Sequence, residues 1–241
     1  MDPEQHLAAI ETESARLVDV SEAAGLDAAV PSCPGWTVSD LLGHVGAVQR
    51  WQAGIVERRV TEAEFAFDDP PEDPGARPGW VRDATTMTLD AFRATAPDTP
   101  IWTFVGPGTA AFWFRRQAHE VAMHRVDAEL AAGITPAMDA SLALDGIDEF
   151  LDIVVGARRR EHLTGTGETL HLHCTDVEGE WLVHLTPEGA VVERVHAKGD
   201  VAVRGSALGL LLLVRERGGA AGLEVFGDRA VLDRFVGLAR I

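Results

Sequence analysis

Two residues that can bind a metal ion, Glu120 and His124, lie four positions apart in the segment AHEVAMHRVDAE. In a helix, residues at this spacing share a face, with Cβ atoms about 5–6 Å apart. A carboxylate and an imidazole both suit zinc or a similar divalent ion, so one helix can offer two ligands to a single cation. Taken alone, such a pair is also typical of an ordinary hydrogen-bonded surface pair.

A third potential ligand, His44, lies among apolar residues in the segment DLLGHVGAVQRW. In an antiparallel bundle, two helices can direct polar side chains to a shared centre, so His44 can join Glu120 and His124. Three protein ligands leave one position open for water or substrate, which is typical of catalytic zinc sites. His119 lies about 100° around the helix from Glu120, so we expect it outside this site, capped or exposed.

The apolar periodicity predicts the helices that carry these residues. Thr37 stands three residues before Asp40, which predicts a capping box at the start of the helix that carries His44. The predicted helices cover residues 4–24, 37–51, 80–96 and 110–132, with a GPGT turn at 106–109 before the last of them. These segments predict a four-helix bundle over residues 1–135.

The pattern changes after Pro136, where short β-like segments separated by turns become frequent. The predicted strands cover residues 169–175, 180–186, 190–196, 200–204 and 223–226, and the predicted helices cover 142–159, 206–214 and 228–238. We therefore expect a mixed fold class, in which the helical bundle is followed by a small α+β domain with an antiparallel sheet over residues 140–241.

Composition excludes several classes of function. The chain has 241 residues and a formal net charge of −17, which disfavours binding to nucleic acid or to an anionic membrane surface. The first residues lack the basic and apolar sections of a signal peptide, and the longest apolar stretch is too short to span a bilayer. Two cysteines are too few for a disulfide framework. We expect a soluble cytoplasmic protein.

Two separated blocks of sequence resemble the mycothiol-dependent maleylpyruvate isomerase family, a branch of the DinB-like four-helix metalloproteins. The first block is VPSCPGWTVSDLLGH at 30–44, and the second is AHEVAMHRVDAE at 118–129. The later segments GSALGLLLLV and LEVFGD look like the sterol-carrier-like C-terminal domain of that family. The resemblance implies that His44, Glu120 and His124 bind Zn²⁺ or a similar divalent metal, with mycothiol as the thiol cosubstrate.

The resemblance also implies a reaction with a small-molecule substrate. A metal-bound thiolate that adds to an electrophile makes the chain a cis–trans isomerase or a thiol S-transferase. Arg116, Arg215 and Arg217 are the candidate catalytic residues that bind a dicarboxylate, although Arg116 also fits a salt bridge to Glu120 and the last two also fit a solvated helix end. The alternatives are a hydrolase with metal-activated water and a non-catalytic protein that binds a small ligand.

Several other polar residues have two interpretations. Asp127 either orients a metal ligand or pairs with a neighbouring arginine. Cys33 is expected to be a buried loop cysteine without a role in catalysis. His171 and His173 alternate on one strand and, with His184, suggest a second metal site, but a half-exposed sheet face is the favoured interpretation.

Overall fold

A computed structural model of the chain describes residues 1–218, 220 and 222–240. The chain divides into two compact units, Met1–Pro136 and Ala137–Ile241. Residues 219, 221 and 241 of the expected C-terminal domain lie outside the described residues. The units are described one at a time.

The first unit, all of which is described, contains four long helices. They are α1 (Pro3–Ala24), α2 (Val38–Glu57), α3 (Arg77–Arg93) and α4 (Ala110–Ala131), and a 3-10 turn at Pro74–Ala76 precedes α3. Helix α1 packs mainly against α4, and α2 packs mainly against α3. The predicted four-helix bundle is confirmed.

Side-chain caps fix where α1 and α2 begin. Asp2 accepts a hydrogen bond from the backbone of Gln5, and Gln5 accepts one from the backbone of Asp2, both at 2.8 Å. Thr37 and Asp40 make the same reciprocal pair at the start of α2, which confirms the predicted capping box. The start of α2 in turn sets the depth of His44 in the bundle.

The segment between α3 and α4 differs from the prediction. Helix α3 ends at Arg93 rather than Ala96, because the residue before Pro97 is disfavoured in helical geometry. The predicted turn at 106–109 is instead a strand, β2 (Gly106–Thr109), which pairs antiparallel with β1 (Pro100–Thr103). Strands of four residues are too short to produce a readable alternation of apolar side chains.

The second unit begins with α5 (Ala140–Phe150), which continues as a π-helical segment, Leu151–Arg158. It also contains, within the described residues, five strands and two further helices. These are β3 (Glu168–Cys174), β4 (Glu180–Thr186), β5 (Gly189–Glu193), β6 (Val201–Gly205), α6 (Ala207–Val214), β7 (Glu224–Gly227) and α7 (Arg229–Leu238).

The five strands form one sheet in the order β5-β4-β3-β6-β7. The expected antiparallel sheet is present, and one of its pairings, β3 with β6, is parallel. This pairing arises because the chain leaves β5 at one edge of the sheet and returns beyond β3. Leu170 and Leu172 of β3, Val183 of β4 and Val203 of β6 are fully buried and form the core side of the sheet.

Among the described residues, no helix is both long and apolar enough to cross a membrane.

Candidate metal centre

The three predicted metal ligands lie on two helices of the first unit. His44 is on α2, in the second turn after the capping box, and Glu120 and His124 occupy successive turns of α4. The imidazole rings of His44 and His124 have centroids 4.9 Å apart. The bundle therefore brings His44 close to Glu120, which lies 76 positions later in the sequence.

One carboxylate oxygen is the meeting point of the three side chains. Glu120 Oε1 lies 3.3 Å from His44 Nε2 and 3.1 Å from His124 Nε2. One ligand atom from each residue can be chosen so that all lie within 4.8 Å of one another. Two imidazole nitrogens and a carboxylate suit zinc, and three protein ligands leave one coordination position open. The donor set therefore fits a zinc-like ion.

The other nitrogen of His124 is held from behind. Asp127 is completely buried, and its Oδ2 lies 2.9 Å from His124 Nδ1. Ser32 donates a hydrogen bond of 2.5 Å to the other oxygen of Asp127, and Cys33 Sγ lies 3.8 Å from Oδ2. A carboxylate that binds the far nitrogen fixes the orientation of the ring and leaves Nε2 directed at Glu120. Of the two interpretations of Asp127, the contacts favour the one in which it orients a ligand.

Arg116 reaches the same centre from one turn earlier on α4. It is buried, and its guanidinium donates a hydrogen bond to Glu120 Oε2, the oxygen that faces away from the imidazoles. Glu120 therefore contacts the Arg116 guanidinium through Oε2 and the two histidines through Oε1.

The surroundings shift the pKa values of both α4 ligands. Burial raises the pKa of the Glu120 carboxyl, but the positive charge of Arg116 and hydrogen bonds from His124 and His44 outweigh it and hold that pKa well below its ordinary value. Burial lowers the pKa of His124, but the carboxylates of Asp127 and Glu120 outweigh it and raise that pKa to about 9. The site therefore favours a positive charge at His124, and a metal ion bound at Nε2 would take the place of the proton.

Two sequence-based expectations near the site were wrong. His119 lies outside the set of His44, Glu120 and His124, as expected, but it is buried rather than exposed, and its ring centroid lies 6.2 Å from that of His6. Cys33 is half-buried rather than buried, and its Sγ lies 3.8 Å from the buried carboxylate of Asp127.

The two C-terminal arginines lie in the second unit. Arg215 is buried, with its guanidinium carbon 5.9 Å from the centroid of the Phe150 ring. Arg217 is half-buried and donates a hydrogen bond of 2.8 Å to the backbone carbonyl of Arg215. Their expected role in substrate binding stays a prediction.

Sequence reasoning missed a second group of potential ligands, in the second unit. His171 and His173 were recognised as a pair, but Glu180 and His196 join them, while His184 lies apart and contacts Glu193. The alternation of His171 and His173 along one strand was the available signal. It could not show which residues of other elements lie next to these two histidines.

Comparison with known proteins identifies the family. The family model described as the mycothiol maleylpyruvate isomerase N-terminal domain matches residues 7–129, more than half of the chain. This chain belongs to the mycothiol maleylpyruvate isomerase family. The model of the family's C-terminal domain matches residues 141–234.

Solved structures support the fold of this family member. A crystal structure described as the mycothiol-dependent maleylpyruvate isomerase aligns with a TM-score of 0.63, and a point mutant of that enzyme aligns with 0.65. Each is 17% identical to this chain, and each alignment covers 93% of both chains. At this identity the likeness establishes the fold. A search among curated proteins gave no significant match.

Proposed function

We propose that this member of the family is a metal-dependent enzyme that uses mycothiol to isomerise a small cis-unsaturated dicarboxylate of the maleylpyruvate type. The observation that carries the proposal is the convergence of His44, Glu120 and His124 in a chain of this family. His44 and His124 would bind a zinc-like ion through Nε2, and Glu120 would bind it through Oε1. When bound, the ion supplies the positive charge that keeps a thiol deprotonated at neutral pH.

Addition and elimination of the thiol account for the isomerisation without net consumption of it. A thiolate forms a C–S bond to one carbon of the cis double bond, and the π electron pair moves to the other carbon and its neighbouring carbonyl group. The former double bond of the substrate is now a single bond, about which the two halves of the substrate rotate. Return of the electron pair breaks the C–S bond, which releases the trans isomer and the thiolate.

The residues around the ligands support this chemistry by holding them in place. Asp127 keeps His124 in one orientation, and Arg116 occupies the outer oxygen of Glu120 so that the inner one faces the histidines. Arg215 and Arg217 remain the candidates for binding the carboxylates of the substrate.

The direct test is an isomerisation assay by proton NMR with maleylpyruvate, mycothiol and the zinc-loaded protein. We expect conversion that requires both the thiol and the metal, and a loss in kcat/KM on the order of 100-fold or more in Glu120→Gln and His124→Asn. His184→Asn, which removes a histidine of the second unit that contacts Glu193, is the control and should retain activity.

Three results would contradict the proposal. They are conversion that is equally fast without thiol, conversion that persists after removal of metal, and full activity in the Glu120 and His124 variants. Accumulation of a stable thioether in place of the trans isomer would instead identify an S-transferase.

A further inference from the structure

One face of the sheet in the second unit carries a row of potential metal ligands. His171 and His173 alternate along β3 with Leu170 and Leu172, so the histidines point away from the apolar core. Glu180 on the neighbouring strand β4 lies directly opposite His173 in the antiparallel register. Two imidazoles and one carboxylate therefore share this face.

The connection from β5 to β6 adds a third imidazole, that of His196. This connection is fastened at both ends. Arg194 donates a hydrogen bond of 2.8 Å to Asp148 at its start, and Asp200 accepts one of 2.8 Å from the backbone of Thr169 at its end. The connection thus holds His196 above the histidines of β3.

The three imidazoles converge on the Glu180 carboxylate. Its Oε2 lies 3.1 Å from His171 Nε2 and 2.5 Å from His196 Nδ1, and its Oε1 lies 3.1 Å from His173 Nδ1. One ligand atom from each of the four lies within 4.8 Å of all the others. The three ring centroids are 5.7–6.2 Å apart, so the imidazoles surround one common point.

The charges that the cluster can carry suit a divalent cation. One carboxylate neutralises one positive charge, so three imidazolium rings at this spacing would repel one another. Neutral imidazoles can direct one nitrogen lone pair each to a common point, and a divalent cation accepts these lone pairs while the carboxylate supplies negative charge. A cavity of about 370 Å³ lies beside the cluster, with Glu180 and His196 among the residues that line it.

We propose that His171, His173, Glu180 and His196 form a second metal site, which takes a zinc-like divalent cation and ties the β5–β6 connection to the sheet. Four protein ligands complete a tetrahedral shell, which is typical of a structural rather than a catalytic ion. The side chain of His196 is 79% exposed, so it is the most accessible of the four ligands. The site is independent of the ligands on α2 and α4.

Metal stoichiometry tests the proposal on the untagged, full-length chain. The protein is stripped with a chelator, reloaded with zinc and desalted, and its zinc is counted by inductively coupled plasma mass spectrometry. We expect two ions per chain in the wild type and one in His173→Asn/His196→Asn. The control His184→Asn should keep two ions, because His184 lies on the same strand as Glu180 but outside the cluster.

A variant of the first site separates this proposal from the proposed function. His44→Asn/His124→Asn should lose one ion and keep the one in the second unit. If the wild type binds a single ion that only this variant loses, the second site is refuted and the proposed function stands. If the single ion is lost only in His173→Asn/His196→Asn, the second site stands and the metal-dependent function fails.

Hydrogen exchange gives a readout that does not depend on whether a variant folds. In the wild type, zinc should slow amide exchange in residues 194–200 by at least about tenfold, because the ion fixes the connection to the sheet. Glu180→Gln, which keeps the size of the side chain, should abolish this protection. Exchange in the wild type that zinc leaves unchanged in this segment would overturn the proposal.

Discussion

Both ring nitrogens of His124 have a defined partner, and this determines what the residue can do. Nδ1 faces the buried Asp127 at 2.9 Å, and Nε2 faces Glu120 at 3.1 Å. With Nδ1 occupied by a carboxylate, Nε2 is the atom left to bind a metal. Because Ser32 in turn binds Asp127, the loop before α2 contributes to the orientation of a ligand on α4.

We expect Asp127→Asn to weaken zinc binding by about 10- to 100-fold, as is usual when a carboxylate behind a metal-binding histidine is lost. The amide of Asn has nearly the same shape as the carboxylate but no negative charge, so His124 becomes a poorer electron-pair donor to the metal. Competition with a chromophoric chelator measures the change, in a background in which His173 and His196 are replaced by Asn. Asp83→Asn, on the exposed side of α3, is the matched control and should bind zinc as tightly as this background. Equal affinity in Asp127→Asn would contradict the orienting role.

The raised pKa of His124 predicts a pH dependence of the metal-free protein. The pKa is about 9 in the folded chain and 6.5 in the reference state, so protonated His124 stabilises the fold fully below pH 6.5. This contribution is lost as the pH rises from 6.5 to about 9. Urea unfolding across this range should give a falling free energy of unfolding, and His124→Gln should flatten the decline. A decline of the same size in the variant would assign it to another group.

At the scale of the helix, α4 is unusual because charged side chains are buried along it. Arg125 is fully buried and bonds to Glu13 of α1 at 2.6 Å and to Glu129 at 2.5 Å. Both carboxylates are themselves almost inaccessible to solvent. The ion pairs fix the register of α4 against α1, the two helices that pack most extensively in this unit.

Replacement of Arg125 by Met should destabilise the first unit by about 3 kcal/mol, because it leaves the buried Glu13 and Glu129 with only the partly exposed Arg16 as a cation. Arg82→Met is the control, since Arg82 pairs with Glu22 at the surface, where such a pair contributes at most about 1 kcal/mol. Thermal and urea unfolding measure both variants. Equal destabilisation by the two substitutions would show that burial of the Arg125 pairs is not what matters.

The contact between α2 and α3 depends on a glycine near the middle of α2. A Cβ atom added at Gly46 would lie 2.5 Å from the Trp80 ring, so the ring packs directly on the α2 backbone. We expect Gly46→Ala to destabilise the protein by about 1–3 kcal/mol despite its better helix propensity. Gly79→Ala, beside Trp80 on α3 with open space around it, should change stability by less than about 1 kcal/mol. If Gly46→Ala also left the stability unchanged, the Trp80 ring would not pack as closely on α2 as the structure indicates.

For the molecule as a whole, the net charge of −17 is its largest electrostatic feature. Self-repulsion of this size opposes the compact state, and dissolved salt screens it. The melting temperature of the metal-free protein should therefore rise by a few degrees between about 20 mM and 500 mM sodium chloride. Potassium chloride should give the same rise, since screening depends on ionic strength. A lower melting temperature in high salt would mean that attractive surface pairs dominate.

The local features of the fold could be predicted from the sequence because they depend on neighbouring residues. The Thr37–Asp40 capping box, the period of the helices and the four-residue spacing of Glu120 and His124 all act within one or two helical turns. The hairpin β1–β2 escaped prediction, because each strand is only four residues long and its pairing, not its own pattern, defines it.

The tertiary structure alone decided which distant residues meet. The sequence suggested His44 as a third ligand and left two interpretations of Asp127 open. Only the tertiary structure showed that His44 lies beside Glu120 and that Asp127 contacts His124. His171 and His173 share a strand face by alternation alone, but the strand register and the β5–β6 connection bring Glu180 and His196 to them. Spacing along a chain fixes contacts within one element, whereas contacts between elements depend on how apolar faces pack, which no short segment encodes.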